Sequence, residues 1–86
     1  MTFLVVVEVQ LHEGVADPQG ATIERALPTL GFEGVADVRV GKSIRFTIQA
    51  ADAEAARAHV DDMCRRFLTN PVIERADVRV DELVTT

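Results

Sequence analysis

The chain has 86 residues, 48% of them hydrophobic, and a formal net charge of −5. That size fits one folded domain spanning 1–86, and the acidic balance argues against nucleic acid or an anionic membrane, which need a basic surface. Cys64 is the one cysteine and cannot form an internal disulfide. The longest apolar run, Phe3 to Val7, falls far short of the ~20 residues of a membrane span. Met-Thr-Phe lacks the basic region of a signal peptide, so a reducing cytoplasm is the expected setting. A chain this short buries only about 60–65% of the surface it exposes when unfolded, so association with copies of itself or a larger partner would help its stability.

Residues 3–11 alternate Phe3, Val5, Val7, Val9 and Leu11 against Leu4, Val6, Glu8 and Gln10. The period of two predicts a strand with the first set toward the core. Leu4 and Val6, on the opposite face, are too apolar for open solvent and are candidates for a subunit contact. Gly14 to Asp17 reads as a loop, and Asp17-Pro18 as a helix start: the Asp carboxylate can accept from unpaired N–H groups, and Pro needs no donor at the first helical position. Ile23, Ala26, Leu27 and Leu30 then share one helical face, and Gly31 suits the left-handed position after the helix. Pro28 contradicts its neighbours, because inside a helix it costs ~3 kcal/mol or a kink, so a loose last turn is expected. Gly20, in the first turn, costs ~1 kcal/mol against Ala and suggests close backbone approach, for instance by another subunit.

The pentapeptide Ala-Asp-Val-Arg-Val occurs at 36–40 and again at 76–80. A period of forty residues makes each copy the end of a strand–helix–strand unit. Ala36, Val38 and Val40 are expected in the core with Ile44, Phe46 and Ile48. A three-residue Gly41-Lys42-Ser43 loop, or a bulge, pairs Val40 with Ile44 and Val38 with Phe46, whereas a two-residue turn puts charge and core on one face. Asp52 is the expected cap of a second helix. Ala56, Val60, Met63, Cys64, Phe67 and Leu68 form its apolar stripe, Asp61–Arg65 and Asp62–Arg66 its i,i+4 pairs, and Asn70-Pro71 its stop. The predicted architecture is α+β, a ferredoxin-like βαββαβ two-layer sandwich, with a four-stranded antiparallel sheet and two helices on one face. Strands one and three would be central, strands two and four edges with outward Asp and Arg, and the tail 81–86 frayed.

No reaction centre is evident. His12, His59 and Cys64 share no metal-ligand spacing, and Cys64 lies in the apolar stripe without a base partner. The loop 14–20 could suggest an anion site, but Asp17 sits where a phosphate would. Gly41-Lys42-Ser43 joins two strands, so it is no phosphate loop. Four Phe, without Trp or Tyr, leave few aromatics for stacking RNA bases. An acyl-phosphate hydrolase of this fold would need an Arg in the 14–20 loop. A regulatory domain binding a small amino acid at a subunit interface would have only that same loop to use. Lys42, with Arg39 and Arg45 nearby, is the one local basic cluster. Neither a catalytic, a cofactor-binding nor a metal-binding residue is assigned.

Three segments carry a resemblance: Asp17-Pro18-Gln19-Gly20, Asp37-Val38-Arg39-Val40-Gly41-Lys42 and Asn70-Pro71-Val72-Ile73-Glu74. In this order and spacing, over about residues 4–81, the chain resembles PurS, the small subunit of phosphoribosylformylglycinamidine synthase. The resemblance implies a role in de novo purine synthesis, within an enzyme that converts formylglycinamide ribonucleotide, ATP and glutamine to formylglycinamidine ribonucleotide, ADP, phosphate and glutamate. It implies that a large subunit uses the ATP and Mg, that a glutaminase makes ammonia, and that this chain bridges them as a homodimer or homotetramer without cofactors of its own. The contact candidates it implies are Asp17, Gln19, Gly20, Arg39, Gly41 and Lys42. Pro28 departs from it, standing where the family usually has an ordinary helix former.

Overall fold

The computed structural model describes residues 1–84. Its elements are β1 (Thr2–Leu11), α1 (Pro18–Thr29), β2 (Lys42–Gln49), α2 (Ala53–Met63), continued by a π-helical turn at Cys64–Leu68, and β3 (Glu74–Glu82). The sheet is antiparallel, in the order β2-β1-β3. The α+β class holds, but among the described residues the sheet has three strands, not the four of the expected ferredoxin-like βαββαβ order, and its centre is β1 alone.

The alternation in β1 sorts its side chains as expected: Phe3, Val5, Val7 and Val9 are all buried. Opposite them stand Ile48, Phe46, Ile44 and Lys42 of β2, and on the other side Glu82, Val80, Val78 and Ala76 of β3. The face is covered by Ala56, Val60 and Cys64 of α2 and its continuation, all buried, with Leu68 partly so. Burying a Val or Phe side chain is worth about 1.5–3 kcal/mol, so this one layer of contacts dominates the chain's stability.

The segment 36–40 departs from expectation. It forms no strand and no hairpin, and among the described residues 33–41 make no main-chain hydrogen bond to the main chain. Two carboxylates take its donors instead. Val38 N–H donates to Glu24 Oε1 (2.9 Å) and Val40 N–H to Asp17 Oδ2 (2.7 Å), while Asp37 adopts a left-handed φ of 57°. A strand needs those N–H groups for its ladder, so 36–40 is bound to α1 instead. The expected register of Val40 with Ile44 and Val38 with Phe46 therefore does not form.

Neither do two helices share one face. α2 lies along β3, while α1 belongs to an excursion that leaves the sheet at Leu11 and re-enters at Lys42, opposite Val9. The chain is elongated, extending 51 Å along its longest axis and 14 Å along its shortest. The radius of gyration, 16.9 Å, exceeds the ~12 Å of a compact chain of this length.

Asp17 and Asp52 cap their helices, accepting from Gly20 N–H and Ala55 N–H at 2.8 Å each. Pro28 lies inside α1 without breaking it, and the helix end tightens instead of loosening. Leu30 and Gly31 N–H bond to carbonyls three residues back, and Phe32 N–H reaches Leu27 O, around a Gly31 φ of 95°. In α2, Asp62 pairs with both Arg66 (3.2 Å) and Arg65 (3.4 Å), so Arg65 takes Asp62 in place of the expected Asp61.

Phe67 is also displaced from its expected place: it is 86% exposed, not core. Widening to i→i+5 spacing, seen in Thr69 N–H to Cys64 O (3.1 Å), breaks the 3.6-residue period from Cys64, three positions before it. Of the tail expected to fray, Asp81 and Glu82 close β3 and Leu83 N–H donates to Thr2 O (2.9 Å). Thr85 and Thr86 lie outside the described residues.

Candidate functional site

The contact candidates converge where the excursion meets the sheet. Asp17 is the hub: its side chain is only 6% exposed and accepts from Gly20 and Val40 N–H, with Arg39 Nε 3.9 Å away. These two N–H groups, then the Arg39 charge, outweigh partial burial and lower the Asp17 pKa from its usual carboxylate value. The guanidinium of Arg39 also donates to Val15 O (3.1 Å) and His12 O (3.4 Å), pinning the loop between β1 and α1. Gly20 is buried, and a Cβ there would lie 2.3 Å from Val38 O. The close approach anticipated at Gly20 is thus made by the chain's own 38–40 segment.

The remaining candidates are more open. Gln19 is exposed in the first turn of α1, and Gly41 and Lys42 are exposed where β2 begins. These three border a shallow groove of about 480 Å³ with Leu11, Pro18 and Glu74. Gly41 passes so close to β1 that a Cβ would lie 2.7 Å from Val9 O. Leu4 and Val6 are not part of this cluster. They are half-buried on the outer face of β1, Leu4 opposite Thr47 and Asp81, Val6 opposite Arg45 and Arg79.

Two participants went unnoticed in the sequence. Glu24 binds Val38 N–H, and its spacing of seven from Asp17 puts both carboxylates on one side of α1. His12 Nε2 donates to Pro71 O (3.1 Å) and His12 N–H to Ile73 O (2.8 Å), tying the start of the excursion to the turn before β3. No group of three or more His, Cys, Asp or Glu able to hold a metal ion occurs among the described residues. Nor is any helix among them long and apolar enough to cross a membrane.

The arrangement is a structural lock with open flanks. Residues 4–82 match the family model for PurS, phosphoribosylformylglycinamidine (FGAM) synthase. The chain belongs to the PurS family. It is 45% identical over 83 residues to phosphoribosylformylglycinamidine synthase subunit PurS of Methanothermobacter thermautotrophicus, covering 96% of this chain and 98% of that protein. It is 39% identical over 82 residues to PurS of Bacillus subtilis, covering 95% and 96%. Among solved structures, Methanocaldococcus jannaschii PurS, a subunit of formylglycinamide ribonucleotide amidotransferase in the purine biosynthetic pathway, superposes with a TM-score of 0.86 at 35% identity. That match covers 95% of this chain and 99% of the other. A chain in the PurLQS structure from Thermotoga maritima superposes at 0.87 and 38% identity, covering 93% and 98%.

Proposed function

We propose that this chain is the non-catalytic PurS subunit of an FGAM synthase, joining a large synthase subunit to a glutaminase and supporting ammonia transfer between them. The likeness to a chain of PurLQS, over nearly the full length of both, carries the reading. Within such an assembly the large subunit uses the ATP and Mg, the glutaminase releases ammonia from glutamine, and formylglycinamide ribonucleotide is converted to the amidine. This chain contributes surfaces, not reacting groups. Gln19, Gly41 and Lys42 in the groove, and Leu4 and Val6 on the outer sheet face, are its proposed contacts. Asp17, Gly20 and Arg39 act one step back, holding those contacts in place. The chain works as a homodimer or homotetramer, in keeping with its thin, elongated shape of 51 × 34 × 14 Å.

Reconstitution tests the proposal. The large subunit and glutaminase should turn over glutamine slowly until this chain is added, while ammonia-dependent turnover persists without it. Equal glutamine-dependent rates with and without the chain would overturn it. An amino-acid-binding regulatory role finds less support, because the carboxylate of its one candidate loop, 14–20, is already engaged by Gly20, Val40 and Arg39.

A further inference from the structure

The apolar stripe of α2 runs through Phe67, and the folded chain makes no use of it there. Cys64, at the start of the π-helical turn, is buried in the core, and Leu68, at its end, packs partly buried against the same cluster. Between them Phe67 faces solvent with 86% of its surface exposed. Leu68 holds the inward position, so Phe67 has no seat in its own core. Burial of a Phe side chain is one of the larger single contributions to stability, and the isolated chain forgoes it. π-helical turns at the ends of α-helices are found frequently at functional sites.

The ring stands on a fixed base. Thr69 N–H (3.1 Å) and Thr69 Oγ1 (2.8 Å) both donate to Cys64 O. Asn70 N–H donates to Glu74 Oε1 (2.8 Å), and Asn70 O accepts from Glu74 N–H (2.7 Å) and Ile73 N–H (3.1 Å). His12 Nε2 adds its bond to Pro71 O. Val72, on the same connection, is 83% exposed. Aromatic side chains are enriched in protein interfaces, and one presented on so fixed a base gives up little freedom on binding. Beside it Arg65 and Arg66 are both largely exposed, and each makes one contact with Asp62. A guanidinium carries five N–H donors, so most of theirs stay open to a carboxylate from outside.

We infer that Phe67 is an anchor for the large synthase subunit, entering an apolar socket there whose rim carries carboxylates for Arg65 and Arg66. This deepens the subunit role proposed above and rests on it. Open guanidinium donors beside the ring call for an acidic rim, and the ring calls for a desolvated pocket. A second copy fits the patch poorly, because a two-fold contact of this patch with itself sets guanidinium against guanidinium. Aromatic surface exposed to this extent needs lasting cover, and lasting interfaces are the more apolar ones. In the proposed assembly that lasting partner is the large subunit, the body that holds the ATP and nucleotide chemistry. The anchor adds a third contact surface to the groove at Gln19, Gly41 and Lys42 and the outer sheet face at Leu4 and Val6.

Biolayer interferometry of the full chain against the purified large subunit and, separately, the purified glutaminase provides the test. Phe67→Ala should keep the wild-type mass by light scattering and the wild-type far-UV circular dichroism. It should weaken binding to the large subunit by at least about tenfold. Phe67→Leu, which keeps an apolar side chain at the position, should restore most of that affinity. Arg65→Gln with Arg66→Gln should weaken the same contact and flatten its salt dependence. Undiminished affinity of Phe67→Ala for the large subunit would overturn the anchor while leaving the subunit role intact, and so would a loss confined to the glutaminase. A lowered mass of Phe67→Ala on its own would assign the ring to a second copy, and a lost fold would assign it to the core; either result overturns the anchor. Failure of the wild type to bind either companion would sink the subunit role and the anchor together.

Discussion

Gly20→Ala sets two effects of opposite sign against each other. In an exposed helix turn the change should stabilise by about 1 kcal/mol, since Gly is the poorer helix former. Here the new methyl would meet Val38 O at 2.3 Å and Asp17 Oδ2 at 3.0 Å. Carbon–oxygen contacts normally lie near 3.3–3.6 Å, so the 38–40 segment must retreat by about 1 Å. Side chains could yield, but Val38 O belongs to the backbone, and its segment is fixed at both Val38 and Val40. Forcing an extra methyl into a closed contact costs typically 1–3 kcal/mol. Subtracting the helix gain leaves a net loss of up to about 2 kcal/mol. Urea unfolding followed by circular dichroism, at one fixed protein concentration, measures it. With a slope near 1 kcal/mol/M, the midpoint should fall by as much as about 2 M. A midpoint that rises would show that the contact between α1 and 38–40 imposes no constraint.

Phe67→Ala should cost no more than about 0.5 kcal/mol in the isolated chain, against about 3–5 kcal/mol for a core Phe, because the π-helical turn points it outward. A loss in the core range would put Phe67 back in the stripe. Asp17 has a folded-state pKa below its unfolded value. Its stabilising effect is therefore complete above the unfolded pKa of about 3.9 and disappears as the pH falls through the lower folded value. Asp17→Asn should flatten the acid limb of a stability–pH curve below about pH 4, and an unchanged limb would contradict the lock. Burial first, then the Asp61 charge, raises the Cys64 thiol pKa, with Arg65 opposing. The native chain should react with a disulfide reagent many-fold more slowly than the urea-unfolded chain, and equal rates would refute the burial.

The elements governed by short-range rules were legible in the sequence. The alternation in β1, both Asp caps and the α2 stripe up to Cys64 follow from side-chain period and capping chemistry, which act within a few residues. The PurS resemblance was legible too, because its three segments keep their order and spacing. What failed were arrangements decided by distant partners. With a three-residue loop or a bulge, the hairpin at 41–43 reconciled the alternation of both its strands, yet Glu24 and Asp17 hold the N–H groups its ladder would need. Phe67 kept the helical period, and one widened turn moved it out. At the candidate site, Gly20 betrayed a close approach without naming the neighbour. Glu24 carried only the faint signal of its seven-residue offset from Asp17.

Ala-Asp-Val-Arg-Val supplies its own paired control. At 76–80 the five residues lie in β3, with Ala76, Val78 and Val80 opposite Val9, Val7 and Val5. At 36–40 the same five hang on two carboxylates outside any sheet. From the second residue onward each amide has the same flanking side chain in both copies, so its unprotected solvent-exchange chemistry is matched. Any difference in deuterium uptake between the twins then reads out the folded surroundings directly, a calibration that few chains carry within themselves.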